Sequence, residues 1–217
     1  MKIIIVGPAH PYRGGLATFN ECMAQQFQKD GAQVSVETFT LQYPSFLFPG
    51  KTQYTTDAAP KDLLIRRSVH SVNPFNWIKV GRRLRKENAD LVLLRYWMPF
   101  MAPCMGTIGR MIRKNKKTKV VGLIDNMIPH EKRIGDNLLS RYFVNSMDAF
   151  VVLSDSVKEE LRQFDQVKPC LVTPHPTYDH YGNLLSKADA ANLLGLDASM
   201  RYILFFGFIR DYKGLDV

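Results

Sequence analysis

Apolar runs and amphipathic stretches alternate along the whole chain. Residues 2–7 form an uninterrupted apolar run broken at Gly7-Pro8, the pattern of a strand buried on both faces. A helix is predicted over 16–29, with Phe19, Met23 and Phe27 at four-residue spacing on one face and Gly31 as its stop. Residues 33–39 alternate like a strand. The stretch 43–60 holds three prolines and a glycine and reads as a long surface loop. A short strand is expected over 63–69. Pro74 then opens a helix with Trp77, Val80 or Gly81, and Leu84 inward and basic residues outward. Residues 90–96 read as a strand. The helix after it opens near 99–103 and buries Cys104, Met105, Ile108, Met111 and Ile112. A strand over 119–124, a loop over 125–135, a helix over 137–145 and a strand over 149–153 follow. Ser156 and Glu159 fit a capping box at the start of another helix. Residues 169–173 give a last strand, 174–182 a proline-rich connector, 187–194 a helix stopped by Gly195, and 202–206 a terminal strand.

This regular alternation predicts an α/β fold with a mostly parallel, Rossmann-like sheet covered by helices on both faces. The domain expectation is a first domain over 1–182 and the beginning of a second, incomplete one over 183–217. In such sheets ligands gather at the C-terminal ends of the strands. That singles out the loops at 8–15, 97–99, 125–135, 154–156 and 207–214.

Composition adds limits. The 217 residues are 46% hydrophobic, enough to fill a core. The N-terminal apolar run is too short for a signal peptide, and the longest uncharged stretch, 96–109, falls short of the ~20 residues that span a bilayer. Three cysteines, Cys22, Cys104 and Cys170, lie far apart without metal-ligand spacing and read as reduced thiols of a cytosolic protein. The net charge is +9, and two clusters carry the excess. One is Lys79, Arg82, Arg83, Arg85 and Lys86; the other is Arg110, Arg113, Lys114, Lys116, Lys117 and Lys119. Such clusters suit an anionic partner, or else form a solvated helix face. They lack interleaved aromatics and no nucleic-acid reader motif is present, so no nucleic-acid partner is expected.

The loops carry the candidate chemistry. Gly14-Gly15 precedes a helix N-terminus, where backbone amides and the helix dipole can hold an anion, or where two glycines merely make a tight turn. The dinucleotide fingerprint and the P-loop pattern are both absent. Asp125 stands at a strand end, beside Asn126. His130 can act as a hydrogen-bond partner or proton carrier, and Glu131 can orient it or bind a hydroxyl. Ser154-Asp155 begins a helix, where capping is the simpler role. Arg210 and Lys213 flank a turn between Gly207 and Gly214, a placement able to neutralise a diphosphate. His175 and His180 have no metal-site rhythm, and no metal is expected.

Taken together, these residues resemble the family 4 retaining glycosyltransferases, which have the GT-B fold of two facing Rossmann-like domains. The resemblance covers residues 1–217. It rests on Arg13-Gly14-Gly15, on Asn126-x-x-Pro129-His130-Glu131, on Leu153-Ser154 and, most specifically, on the segment from Gly207 to Gly214. It implies transfer of a sugar from a nucleotide-sugar donor to an acceptor hydroxyl with retention, in cell-surface polysaccharide or glycolipid synthesis. The nucleotide sugar is a substrate, and no separate cofactor is implied. Gly15 would face the donor phosphates, His130 would sit near the transferred sugar, and Arg210 and Lys213 would stabilise the leaving diphosphate. The N-terminal domain would mostly hold a sugar or lipid-linked acceptor.

Two departures stand out. Phe208 follows Gly207 where the family often has arginine, so Arg210 comes two positions late. The family's paired glutamates belong further along the second domain than Val217. The expectation is therefore a fragment with little activity alone, cytoplasmic or peripheral on the inner face of a membrane. The rival expectation is a non-catalytic basic module that binds anionic lipid or glycan.

Overall fold

The computed structural model describes residues 1–45, 52–129, 133–176, 182–205 and Gly214. The chain divides into two compact units, Met1–Pro174 and His175–Val217.

The first unit is built on seven parallel strands: β1 (Lys2–Val6), β2 (Gln33–Leu41), β3 (Leu64–His70), β4 (Leu91–Tyr96), β5 (Lys119–Ile124), β6 (Ala149–Val152) and β7 (Cys170–Val172). Their spatial order is β3-β2-β1-β4-β5-β6-β7, so the chain reverses direction across the sheet between β1 and β4. This is the Rossmann-like arrangement expected from the alternation. Among the described residues of this unit, five α-helices cover the sheet: α1 (Gly15–Lys29), α2 (Pro74–Glu87), α3 (Ala102–Arg113), α4 (Asp136–Val144) and α5 (Asp155–Arg162).

Each face has its own apolar core. On one side Ile3, Ile5, Val34, Val36 and Leu93 pack with Ala24, Met23 and Phe27 of α1. On the other, Ile4, Val6, Val92, Leu94, Val120 and Val152 pack with residues of α2, α3, α4 and α5. The strand β1 separates the two, so Ile3 to Val6 are all fully buried. That explains its unbroken apolar run. Strand β2 alternates in sequence but is buried on both faces from Val34 to Phe39, because α1 packs on one face and Arg83 of α2 reaches the other.

Burial of β2 includes a carboxylate. Glu37 is fully buried, and Arg83 of α2 donates to it at 2.6 and 3.0 Å. Ser68 Oγ and Arg66 add bonds at 2.5 and 3.3 Å. Hydrogen bonding to Glu37 raises the Arg83 pKa. Arg83 was expected on the outward basic face of its helix. It turns toward the sheet instead, because an unpaired buried carboxylate would be costly.

Three other expectations are corrected. The cap of α5 is Ser154, whose Oγ accepts from Val157 N at 3.3 Å, and not Ser156. Met111 is only partly buried, pressed against Gly81 of α2. Residues 201–205 form no strand. A strand needs a partner for its N–H and C=O groups, and no neighbour supplies one among the described residues.

In the second unit, α6 (Lys187–Leu194) starts at Ser186, whose Oγ accepts from Asp189 N, and ends at Gly195 in the left-handed region. Leu184, Leu193, Ile203 and Leu204 are strongly exposed. Among the described residues no helix is long and apolar enough to cross a membrane.

The α2–α3 contact yields a prediction. A Cβ added at Gly81 would lie 2.6 Å from Met111 Cβ and 3.2 Å from the Ile108 carbonyl oxygen. Helix propensity alone favours Gly81→Ala by ~1 kcal/mol. Backbone cannot yield cheaply, so the clash should win and lower stability by about 1–3 kcal/mol. A lower urea midpoint is expected; a raised one would mean that the helices separate freely.

Candidate functional site

The strand order reverses between β1 and β4, the point at which parallel sheets place their ligands, since loops leaving the two strands head in opposite directions. Beside it, a buried arginine ties the loops together. Arg95, on β4 and 1% exposed, donates from Nε and Nη2 to both oxygens of Asp125 at 2.8 and 2.5 Å. Its Nη1 donates to Asn20 Oδ1 of α1 at 2.9 Å, and its guanidinium lies 4.2 Å over the Phe19 ring. Asn20 Nδ2 in turn donates to the Pro8 carbonyl at 2.8 Å. One guanidinium thus joins the ends of β1, β4 and β5 to α1. The fork geometry of arginine suits this bidentate grip.

The β1–α1 loop is held from below by the same helix. His10 N donates to Glu21 Oε1 at 2.6 Å, and burial raises the Glu21 pKa. Gly7 must lack a side chain, since a Cβ there would lie 2.7 Å from Asn20 Nδ2 and 3.0 Å from Arg95 Cβ. Gly14 is the N-cap of α1 with φ 108, a conformation that favours glycine. No side chain caps α1. Gly14 and Gly15 are exposed, so the first-turn amides of α1 open toward the strand-end edge.

The β5–α4 loop is fixed from the other side. Glu160 of α5 accepts from Met127 N at 3.3 Å and Ile128 N at 3.0 Å. Met127 is buried while Asn126 is exposed. Ser154, at the start of α5, is half-buried; beside capping, its hydroxyl lies 2.9 Å from Ser156 Oγ.

Of the residues singled out in the sequence, Gly14, Gly15, Asp125, Asn126 and Ser154 all lie at the C-terminal edge of the sheet. Asp125 faces inward to Arg95, so its carboxylate positions the loop and is not presented free to a ligand. His130, Glu131, Arg210 and Lys213 lie outside the described residues. The residues that hold these loops and that sequence reading passed over are Arg95, Asn20 and Glu160. An arginine within the apolar run of a central strand was the available signal for Arg95. Glu160 carried none, since an exposed-looking helix glutamate is commonplace.

An aromatic wall lines the neighbouring stretch of the edge. Tyr12 meets Phe39 edge-on, Phe39 meets Trp97, and Tyr43 stacks near Phe100. Trp97 Nε1 donates to the Tyr43 hydroxyl at 2.5 Å, and burial raises the Tyr43 pKa. Among the described residues no group of histidines, cysteines and carboxylates is arranged to hold a metal ion.

Two predictions test this architecture. Asp125→Asn removes the countercharge of a buried guanidinium and should cost about 3 kcal/mol, read as a lower urea midpoint at unchanged slope. The double variant Arg95→Met/Asp125→Leu should cost less than Asp125→Asn alone; a wild-type midpoint for Asp125→Asn would refute the pairing. Separately, Glu160→Ala should speed hydrogen exchange at the Met127 and Ile128 amides by roughly tenfold. Unchanged exchange there would release Glu160 from its role.

The Glycosyltransferase Family 4 model matches residues 13–179. No curated protein matches the chain in sequence. Among solved structures, the chain is similar to sucrose-phosphate synthase from Thermosynechococcus elongatus, at 12% identity and TM-score 0.50, covering 82% of this chain and 90% of that one. It is also similar to UDP-GlcNAc 2-epimerase from Methanocaldococcus jannaschii, at 12% identity and TM-score 0.50, covering 79% and 45%. MurG from Acinetobacter baumannii matches at 15% identity and TM-score 0.46, covering 79% and 44%. The chain therefore spans less than half the length of the epimerase and of MurG. At these identities the likeness concerns the fold, which is that of the N-terminal half of GT-B glycosyltransferases. With the family match extending over most of its length, the chain belongs to Glycosyltransferase Family 4.

Proposed function

We propose that the full-length protein transfers a sugar from a nucleotide-sugar donor to an acceptor hydroxyl with retention of anomeric configuration. The observation that carries this reading is the junction made by Arg95. It ties Asp125 at the end of β5 to Asn20 of α1 and, through Asn20, to Pro8 at the end of β1, the two strand ends lying on either side of β4. An uncapped helix N-terminus next to the point where the strand order reverses suits a phosphate group.

In this reading residues 1–182 form the acceptor side and 183–217 open the nucleotide-sugar side. The acceptor is a sugar or a lipid-linked sugar of a cell-surface polysaccharide or glycolipid, met on the cytoplasmic side. Gly15 faces the donor phosphates, and Asn126, His130, Glu131 and Ser154 border the transferred sugar. Breaking the glycosyl–phosphate bond develops negative charge on the departing diphosphate. Arg210 and Lys213 neutralise that charge, and the acceptor hydroxyl attacks on the face the diphosphate leaves. The roles of His130, Glu131, Arg210 and Lys213 rest on the family resemblance. No metal and no separate cofactor enters the proposed step.

The test is a transfer assay of the full-length protein across a panel of nucleotide sugars, with the product's anomeric configuration read by NMR. Retention is expected, and an inverted product would contradict the proposed stereochemistry. Lys213→Ala should lower kcat by about a hundredfold or more, the scale of losing one fixed oxyanion donor. An unchanged kcat would remove Lys213 from the diphosphate site.

A further inference from the structure

The positive charge of this protein is concentrated in one segment. Residues 74–119 carry twelve lysines and arginines against two carboxylates, Glu87 and Asp90, while the rest of the chain is nearly neutral. Folding sorts all of these cations but the half-buried Arg85 into two kinds. Arg83 is spent on Glu37 and Glu87, Arg95 on Asp125, and Arg113 on Asp148 at 2.7 Å. Arg110 donates to Ser146 Oγ and lies over the Tyr142 ring. By contrast Lys79, Arg82, Lys86, Lys114, Lys116, Lys117 and Lys119 are exposed and have no ion-pair partner among the described residues. Glu87 is already held by Lys2, Arg66 and Arg83, so it does not neutralise them.

These free cations are carried by two helices that pack together, and they line two separate surface grooves, the second shared with Asp148. Gly81 brings α2 against Met111 of α3, and both helices run toward the same end of the sheet. There, Asn115 Nδ2 donates to the Arg85 carbonyl at 3.2 Å, joining the end of α2 to the turn after α3. The outward stripe of α2 holds Phe75, Ile78, Lys79, Arg82 and Lys86, spaced three, one, three and four residues apart, which is a single helix face. Phe75 is 85% exposed and lines the same surface groove as Ile78, Lys79, Arg82 and Lys86. The stripe is thus apolar at its first turn and cationic along the remainder, over about 16 Å from Phe75 to Lys86.

We propose that the outer face of α2, together with Lys114, Lys116 and Lys117, is a docking surface for an anionic phospholipid bilayer. A flat anionic surface can engage the lysines and arginines together while Phe75 enters the headgroup–acyl boundary. A nucleic-acid strand would use the cations and leave Phe75 in water. The α2–α3 layer lies on a face of the sheet, so a bilayer seated there leaves the strand-end edge accessible. The inference rests on this surface alone and stands or falls independently of the transferase reading.

Sedimentation of the 217-residue chain with vesicles tests it. Binding is expected to vesicles of equal phosphatidylcholine and phosphatidylglycerol, not to phosphatidylcholine alone, and should be reversed by added salt. Lys79→Gln/Arg82→Gln/Lys86→Gln should weaken partitioning on the order of a hundredfold. The control Lys29→Gln/Lys61→Gln/Arg201→Gln carries the same charge change elsewhere and should weaken it by about threefold at most. Phe75→Ala should reduce vesicle binding while leaving heparin binding unchanged. Circular dichroism melting checks that the exposed substitutions leave the fold intact. Equal binding to both vesicle types would overturn the proposal, since charge would not be the driving term. Equal losses in the two triple variants, or heparin binding without vesicle binding, would overturn it as well.

Discussion

The structure depends on one buried cation. Arg95 sits in the middle of a parallel sheet, where an unpaired guanidinium would be prohibitively unstable. It is tolerated because Asp125 offers both oxygens and Asn20 a third acceptor, with the Phe19 ring beneath. Those partners come from β5 and α1, so satisfying the charge fixes how the ends of three strands meet the first helix. A well-packed hydrophobic residue at the same position could match its stability. What arginine adds is a specific geometry: Asp125 after β5 and Asn20 of α1 cannot move apart without leaving the buried charge unpaired.

The second buried ionic cluster works differently. Glu37 lies in β2 and gathers Arg83, Arg66 and Ser68 from α2 and β3. It locks the outer strand and the helix that follows it, away from the strand-end edge. By taking Arg83 inward it divides the basic segment into structural cations and free ones. The strand-end edge and the basic helical layer are thereby physically separate features, one shaped by buried pairing and the other by cations left exposed.

Much of the fold was legible in the chain. The unbroken run at Ile3 to Val6, the stripe Val80-Gly81-Leu84 and the alternation of strands with helices each have a direct counterpart in the sheet and its covering layers. Gly14-Gly15 and Asp125-Asn126 were found because strand-end loops are where a parallel sheet places its ligands. What could not be read were pairings between distant residues. Nothing local in Asn20, Arg95 or Asp125 announces that they meet across 75 and 30 positions. Glu37 reads as the polar half of an alternating strand, because alternation does not reveal that helices cover both faces of β2. The run from Tyr202 failed as a strand for a related reason: apolar character supplies the tendency, but a strand also needs neighbours.

The proposed function requires donor phosphates to settle at the N-terminus of α1, next to the strand ends that Arg95 joins. A crystal structure of the full-length protein with a nucleoside diphosphate sugar measures this most directly. The diphosphate is expected within hydrogen-bond reach of the Gly15 amide and the sugar beside Asn126. A donor bound at the opposite end of the strands, or on the helical layer, would contradict it.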